Sequence, residues 1–282
     1  MIFTKQRLFI KVDHNFFPQV KDRFPLIYLE RGRLEVDDSS VKWIDCNCNV
    51  IHIPAATISA IFLGPGTSVT HEACKVLASC NCNLCWVGED CLHSIAVSVS
   101  PTHDSRGMQK QCAYAFHAKK SLEVARKLFA YRIKDVDLSG KSLQELMGLE
   151  GSRVKELYRL KALQYDVPWH GRSYVPGKYS KSDVINRRLT QFNSFLYGLV
   201  TSTIISMGYS PYIGFIHKGS PLPLTYDLAD LYKENLCIDL AFSWPVKYCS
   251  EERRTIVSAF IERCIETDVL NTMQKDLAYI ME

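Results

Sequence analysis

Up to about residue 99 the chain alternates short apolar runs with polar or Gly/Pro breaks, a pattern of short strands. Runs at 26–29 and 33–36 flank Arg31 and Gly32, which predicts a hairpin. Runs at 41–44 and 50–54 flank a polar turn at 45–49, and the run 58–63 stops at Gly64-Pro65-Gly66. Residues 70–78 switch to helical spacing behind Thr70, a residue suited to N-capping. Two more strands are predicted near 84–87 and 92–99. A polar stretch at 100–107 then changes the character of the chain. Beyond it apolar residues recur at helical spacing over 110–133 (Ala113, Phe116, Leu122, Ala125, Leu128, Phe129), and further helices are predicted over 142–165, 183–207, from about Thr225, and over 251–279. The fold class expected is α+β: a small β-rich domain over 1–99, a linker over 100–107, and a larger all-α domain over 108–282.

With 282 residues and 47% hydrophobic content the chain can bury a sizeable core. The first residues carry charge throughout without a small-residue cleavage site, and no apolar run reaches membrane-spanning length. The expectation is a cytoplasmic protein with no membrane partner. Eleven cysteines, an odd number, argue for reduced thiols. Cys80, Cys82, Cys85 and Cys91, with Cys46 and Cys48 before them, raise the question of zinc. The spacing lacks two Cys-x-x-Cys pairs, and Cys85 sits in a strand-like run, so small buried hydrophobes are the better reading.

The stretch 214–230 holds the candidate chemistry. His217 lies in a loop, a Gly/Pro-rich turn follows (Gly219, Pro221, Pro223), and a helix expected to open at Thr225 carries Asp227 and Asp230. Carboxylates three apart share a helix face, and an imidazole beside them suits a divalent cation. Each residue also has an ordinary reading: Thr225 as N-cap, Asp227 in a first helical turn, His217 as surface.

The formal net charge of +4 is mild, but nine basic residues face four acidic ones between 150 and 192. Arg153, Arg159, Arg172, Lys178, Arg187 and Arg188 belong to that excess, with Trp169, Tyr174 and Tyr179 interleaved. A solvated helix face is the ordinary reading of a charge run. The mixture with aromatics favours a surface that holds a phosphate backbone.

Taken in order, several motifs carry a resemblance. They are His52-Ile-Pro54, Pro65-Gly-Thr67, Val69-Thr-His71 and Trp86-Val-Gly-Glu89 in the first part. In the second they are Leu149-Glu-Gly-Ser-Arg-Val154, Gln164-Tyr165 with Trp169, Gly171-Arg172, Leu196-Tyr-Gly198, Gly208-Tyr209, Gly214-Phe-Ile-His217 and Tyr226-Asp-Leu-Ala-Asp230. The chain resembles the CRISPR adaptation integrase, the first of the CRISPR-associated proteins, in its subtype I-E form. The resemblance implies Glu150, His217 and Asp230 as ligands of Mg²⁺ or Mn²⁺, with Asp227 as a supporting catalytic carboxylate. Tyr197 matches a tyrosine near the active site, with helical core as an equal alternative, and Lys218 and Lys233 join the expected DNA-binding set.

The implied reaction is phosphoryl transfer: the 3′-hydroxyl of a captured double-stranded DNA fragment attacks a CRISPR repeat boundary. The implied assembly is a homodimer joined through 1–99, two such dimers flanking a dimer of the second CRISPR-associated protein in a heterohexamer. Some positions depart from those relatives. Arg31 stands where a duplex-wedging tyrosine is expected, Ser68 and His93 stand at arginine positions, and the end at Glu282 implies that their long C-terminal tail is missing. Two rivals stay open: a stand-alone metal-dependent endonuclease acting on branched or repair DNA, and a non-enzymatic DNA-binding scaffold.

Overall fold

A computed structural model describes residues 19–38, 40–89, 94–99, 104–134, 136–173 and 182–282. Strands β1 (Phe24–Leu29), β2 (Gly32–Asp37), β3 (Ser40–Asp45), β4 (Val50–Ile53), β5 (Ile58–Leu63), β6 (Thr67–Val69), β7 (Asn83–Val87) and β8 (Ser94–Val97) build two four-stranded sheets. One has the order β1-β5-β7-β8, the other β4-β3-β2-β6. Helix α1 (His71–Ser79) lies between β6 and β7 in sequence, and Thr70 caps it by accepting from the Ala73 amide. Then come α2 (Arg106–Ala115), α3 (Ala118–Arg132), α4 (Leu143–Tyr165), α5 (Val184–Ser206), α6 (Pro223–Ala229), α7 (Asp239–Lys247), α8 (Arg253–Glu266) and α9 (Val269–Ile280). The α+β class expected from the pattern is the class observed. No helix among the described residues is long and apolar enough to cross a membrane.

The hairpin expected at Arg31 and Gly32 does not form. β1 pairs in parallel with β5, whereas β2 pairs with β3 and β6 in the other sheet. Arg31 adopts a left-handed φ of 55°, and the chain steps from one sheet to the other there. The return step at 64–66 runs alongside it: the Arg31 amide donates to Pro65 O and the Gly32 amide to Gly66 O, both at 3.1 Å. The second expected turn, at 45–49, does join an antiparallel pair, β3 and β4. There the Asp45 carboxylate accepts from the Asn47 and Asn49 amides at 2.8 Å.

The β1-β5-β7-β8 sheet separates two cores. Leu26, Ala60, Phe62, Cys85 and Val87 face the helices. Ile58, Ile61, Leu63 and Leu84 face the second sheet and α1. All six residues of β5 are therefore buried. Helix α5 runs through the larger core, so buried that polar side chains such as Thr201 and Ser202 are enclosed with its apolar ones. Asn83 of β7 ties it to the sheet, donating to Ser202 Oγ at 2.9 Å and Ser206 Oγ at 3.1 Å. Cys82 and Cys85 lie inside, and burial pushes the Cys82 thiol up to about 12.

Three helical expectations need correction. The stretch 110–133 is two helices, because the His117 ring accepts the Lys120 amide and starts a new one. The stretch 251–279 also breaks, at Asp268, whose φ is 46°. Thr225 is not an N-cap: α6 opens with Pro223 in its first turn, and Thr225 is buried inside it, 3.0 Å from Thr201 Oγ1 on α5.

Gly198 tests the packing of α5 against the sheet. A Cβ there would lie 2.5 Å from Phe62 Cζ. Gly198→Ala should cost about 1–3 kcal/mol through overpacking, read as a lower urea midpoint. Adding Phe62→Leu should recover part of the loss.

Candidate functional site

The loop before α6 is built around one carboxylate. Asp227 is fully buried and accepts hydrogen bonds from the Phe215, Ile216 and His217 amides at 2.6, 3.1 and 2.9 Å. Charge-assisted bonds of this kind compensate the desolvation of a buried carboxylate. Gly214 lets the loop come close enough, since a Cβ there would lie 2.8 Å from Asp227 Oδ2 and 2.6 Å from Pro223 Cβ. The fourth partner of Asp227 is the His217 ring, with Nδ1 at 2.8 Å. This contact fixes the ring and leaves Nε2 to face outward, the arrangement usual for a metal-ligating histidine. The hydrogen bond to Asp227 raises the His217 pKa above its ordinary value, against the lowering effect of burial.

Asp230 follows α6 directly, as its C-cap. Its Oδ2 lies 3.7 Å from His217 Nε2, and its Oδ1 lies 2.5 Å from Lys233 Nζ. Burial pushes the Asp230 carboxyl up, but Lys233 and Arg132 outweigh it and hold the group below its ordinary value. Glu150 arrives on α4, and burial raises its pKa. Arg132, the last residue of α3, joins the two acids: its Nη1 donates to Glu150 Oε1 and, at 3.0 Å, to Asp230 Oδ2. Glu150, His217 and Asp230 thus meet on one wall of a cleft of about 760 Å³, whose lining also includes Lys134, Arg153 and Lys155. Among the described residues no group of three His, Cys, Asp or Glu stands ready-made to hold a metal. The two carboxylates are instead bridged by the Arg132 guanidinium. The donor chemistry of the three side chains, two carboxylates and an imidazole nitrogen, nevertheless fits Mg²⁺ or Mn²⁺.

Asp227, expected to support catalysis, is fully buried, and its side-chain partner toward the site is the His217 ring. Tyr197 packs against Tyr226 with ring centroids 5.0 Å apart, and Lys233 Nζ lies 5.2 Å from its centroid. Lys233 is committed to Asp230, and Lys218 donates to Ser121 Oγ at 2.9 Å.

The expected DNA-binding arginines separate into two groups. On α4, Arg159 is exposed and Arg153 half-buried, paired with Glu156 and Glu234 respectively. Arg188, in contrast, is only 1% exposed: it stacks over Trp244 and bonds Gln191 and Ser250 O, so it cannot reach a phosphate from this position. Arg172 spends its donors on Asn186 and Thr190. Arg187 pairs with Glu251 at 2.9 Å. Trp169 packs on Tyr158 and Phe242 rather than facing out. Lys178, Tyr174 and Tyr179 lie outside the described residues.

Arg132 was not among the expected residues, although a signal exists. It continues the buried stripe of α3 made by Val124, Ala125, Leu128 and Phe129, and a charge at such a position needs a buried partner.

Comparison with known proteins places this geometry in context. The family model described as "CRISPR associated protein Cas1" matches residues 130–247. A curated relative from Chlorobaculum tepidum, "CRISPR-associated endonuclease Cas1 2", is 51% identical over 276 residues, 98% of this chain and 93% of the relative. "CRISPR-associated endonuclease Cas1" of Escherichia coli K12 is 37% identical over 79% of this chain and 73% of its own length. The solved structure "Crystal structure of TtCas1-DNA complex" superposes with a TM-score of 0.80 at 32% identity, covering 91% of each chain.

The role of Asp227 can be measured without any substrate. Asp227→Asn turns an acceptor of four donors into a group with a competing N–H₂, and should cost at least about 2 kcal/mol of stability. In metal-free wild type the His217 ring should titrate above its ordinary 6.5 in an NMR titration, and in Asp227→Asn it should fall back toward that value. Because the folded pKa is the raised one, the stability this ion pair adds is complete below pH 6.5 and fades as pH rises through the folded value.

Proposed function

The chain belongs to the Cas1 family, and on that footing we propose that it is a metal-dependent DNA integrase of CRISPR adaptation. It inserts captured double-stranded fragments at CRISPR repeats. One observation carries this reading: His217, anchored by Asp227, brings Nε2 to the same Asp230 oxygen that Glu150 approaches through Arg132, on the wall of a cleft with basic residues in its lining. Glu150, Asp230 and His217 Nε2 would hold Mg²⁺ or Mn²⁺. When bound, such an ion supplies charge stabilisation at a phosphoryl oxygen.

The chain's own residues do the rest. Asp227 holds the ring so that Nε2 cannot turn away. Lys233 balances the Asp230 carboxylate through Oδ1. Lys134, Arg153 and Lys155, in the lining of the cleft, offer cations to a DNA backbone without reading its sequence. No covalent protein intermediate is required, because the nucleophile is the 3′-hydroxyl of the incoming strand. We extend the proposal to the subtype I-E form, to a division into 1–99, 100–107 and 108–282, and to dimerisation through the first part. Its partner is the second CRISPR-associated protein, in a heterohexamer. DNA cleavage with water as nucleophile is a second reading, favoured by the endonuclease names of the relatives.

Glu150→Gln, His217→Ala and Asp230→Asn should each bind DNA within a few-fold of wild type. Each should lose strand transfer into a repeat-bearing plasmid by about a hundredfold or more, roughly 2.7 kcal/mol of transition-state stabilisation. His217→Ala integrating at the wild-type rate would refute the ligand assignment. Nicked plasmid without a joined fragment would shift the conclusion to the nuclease.

A further inference from the structure

Arg132 bridges two of the three candidate ligands, Glu150 and Asp230. Its side chain is 5% exposed, and its guanidinium lies 4.7 Å from the centroid of the Phe129 ring. A single nitrogen, Nη1, donates to Glu150 Oε1 and Asp230 Oδ2, and that same Oδ2 is the atom 3.7 Å from His217 Nε2. A cation coordinated by these atoms sits about 2.1 Å from each oxygen, so it needs the volume that Nη1 fills. Lys233 differs, because it holds the other oxygen of Asp230, Oδ1.

A second observation bears on how firmly the guanidinium is held. Arg132 Nε and Nη2 are buried and make no hydrogen bond. Unsatisfied buried donors are unfavourable, so the bridge is a compromise and its loss is partly offset. Leaving the acids unbridged is unfavourable too, since two carboxylates drawn together out of water repel.

We propose that Arg132 is a resident surrogate cation, which neutralises Glu150 and Asp230 while no divalent ion is present and leaves the bridge when one binds. This rests on reading Glu150, His217 and Asp230 as the metal-binding set. Arg132 is then a positioning residue. It keeps α3, α4 and the end of α6 together in the metal-free protein and sets the metal affinity by competing for two ligand atoms. Exchanging one positive charge for two also makes the cleft more attractive to a phosphate, so filling the site and recruiting DNA are coupled electrostatically.

The test uses the full chain and Mn²⁺ alone, followed by calorimetry and by the Mn²⁺ electron paramagnetic resonance signal. Arg132→Gln should bind Mn²⁺ at least tenfold more tightly than wild type. It should melt below wild type in EDTA, and the gap should close in saturating Mn²⁺. A purely structural arginine would leave the gap equal in both buffers, and that result, or Mn²⁺ affinity equal to or weaker than wild type, overturns the proposal. If Arg132→Gln folds in neither buffer, Arg132→Met decides. It keeps an unbranched stem but removes the charge and the Nη1 donor that makes both bonds, so tighter Mn²⁺ binding supports the proposal and unchanged or weaker binding overturns it. Glu150→Gln, run alongside, separates the two levels. If it binds Mn²⁺ like wild type, the metal reading itself has failed. If it binds weakly while the arginine variants match wild type, only the role of Arg132 has.

Discussion

A carboxylate with no access to water governs the geometry of this protein's site. Asp227 tolerates full burial only because three consecutive amides and an imidazole point at it. That requirement shapes its surroundings. The loop must turn so that the amides of Phe215, Ile216 and His217 converge, position 214 must lack a side chain, and α6 must open at Pro223 so that Asp227 reaches inward. Thr225 then lies against Thr201 of α5, anchoring the short helix to the most buried element of the core. The ring of His217 is oriented as a by-product of solving a solvation problem one layer below it.

Much of the fold was legible because periodicity is a local signal. β3, β4, β5, α1, α4 and α5 fall within a residue or two of where their apolar spacing puts them. What failed was pairing. Nothing in the residues around Arg31 and Gly32 distinguishes a turn back from a step into another sheet, because the partner, the 64–66 segment, is distant in sequence. The stretch from the π-helical turn Glu234–Ile238 into α7 drew no helical expectation for a related reason. Leu236, Cys237, Ile238, Leu240, Ala241, Phe242 and Trp244 are all buried, so no polar face exists to create a period.

At the site, the sequence motifs pointed to Glu150, His217 and Asp230, and these do meet in space. Charge alone was less informative. Arg188 looks like its exposed neighbours in sequence, yet it is enclosed and consumed by internal hydrogen bonds. Composition reports how much charge a segment has, and packing decides whether it faces the solvent or a carbonyl. Arg132 shows the converse, since a single cation on an otherwise apolar stripe carried more information about the site than the basic run did.

The burial of every residue of β5 has a consequence for how such a chain can diversify. In a strand with one wet face, half of the positions are free to drift, and compensating changes need to satisfy only one set of neighbours. Here Ile58, Ile61 and Leu63 answer to one core while Ala60 and Phe62 answer to the other, and Ser59 is enclosed as well. A change of volume in this strand can be absorbed only by neighbours that already serve a core, and a shift of the strand to relieve one side compresses the other. Drift in this protein should therefore accumulate in its outer sheet and helix surfaces, with the strand between the cores acting as the fixed reference from which both are measured.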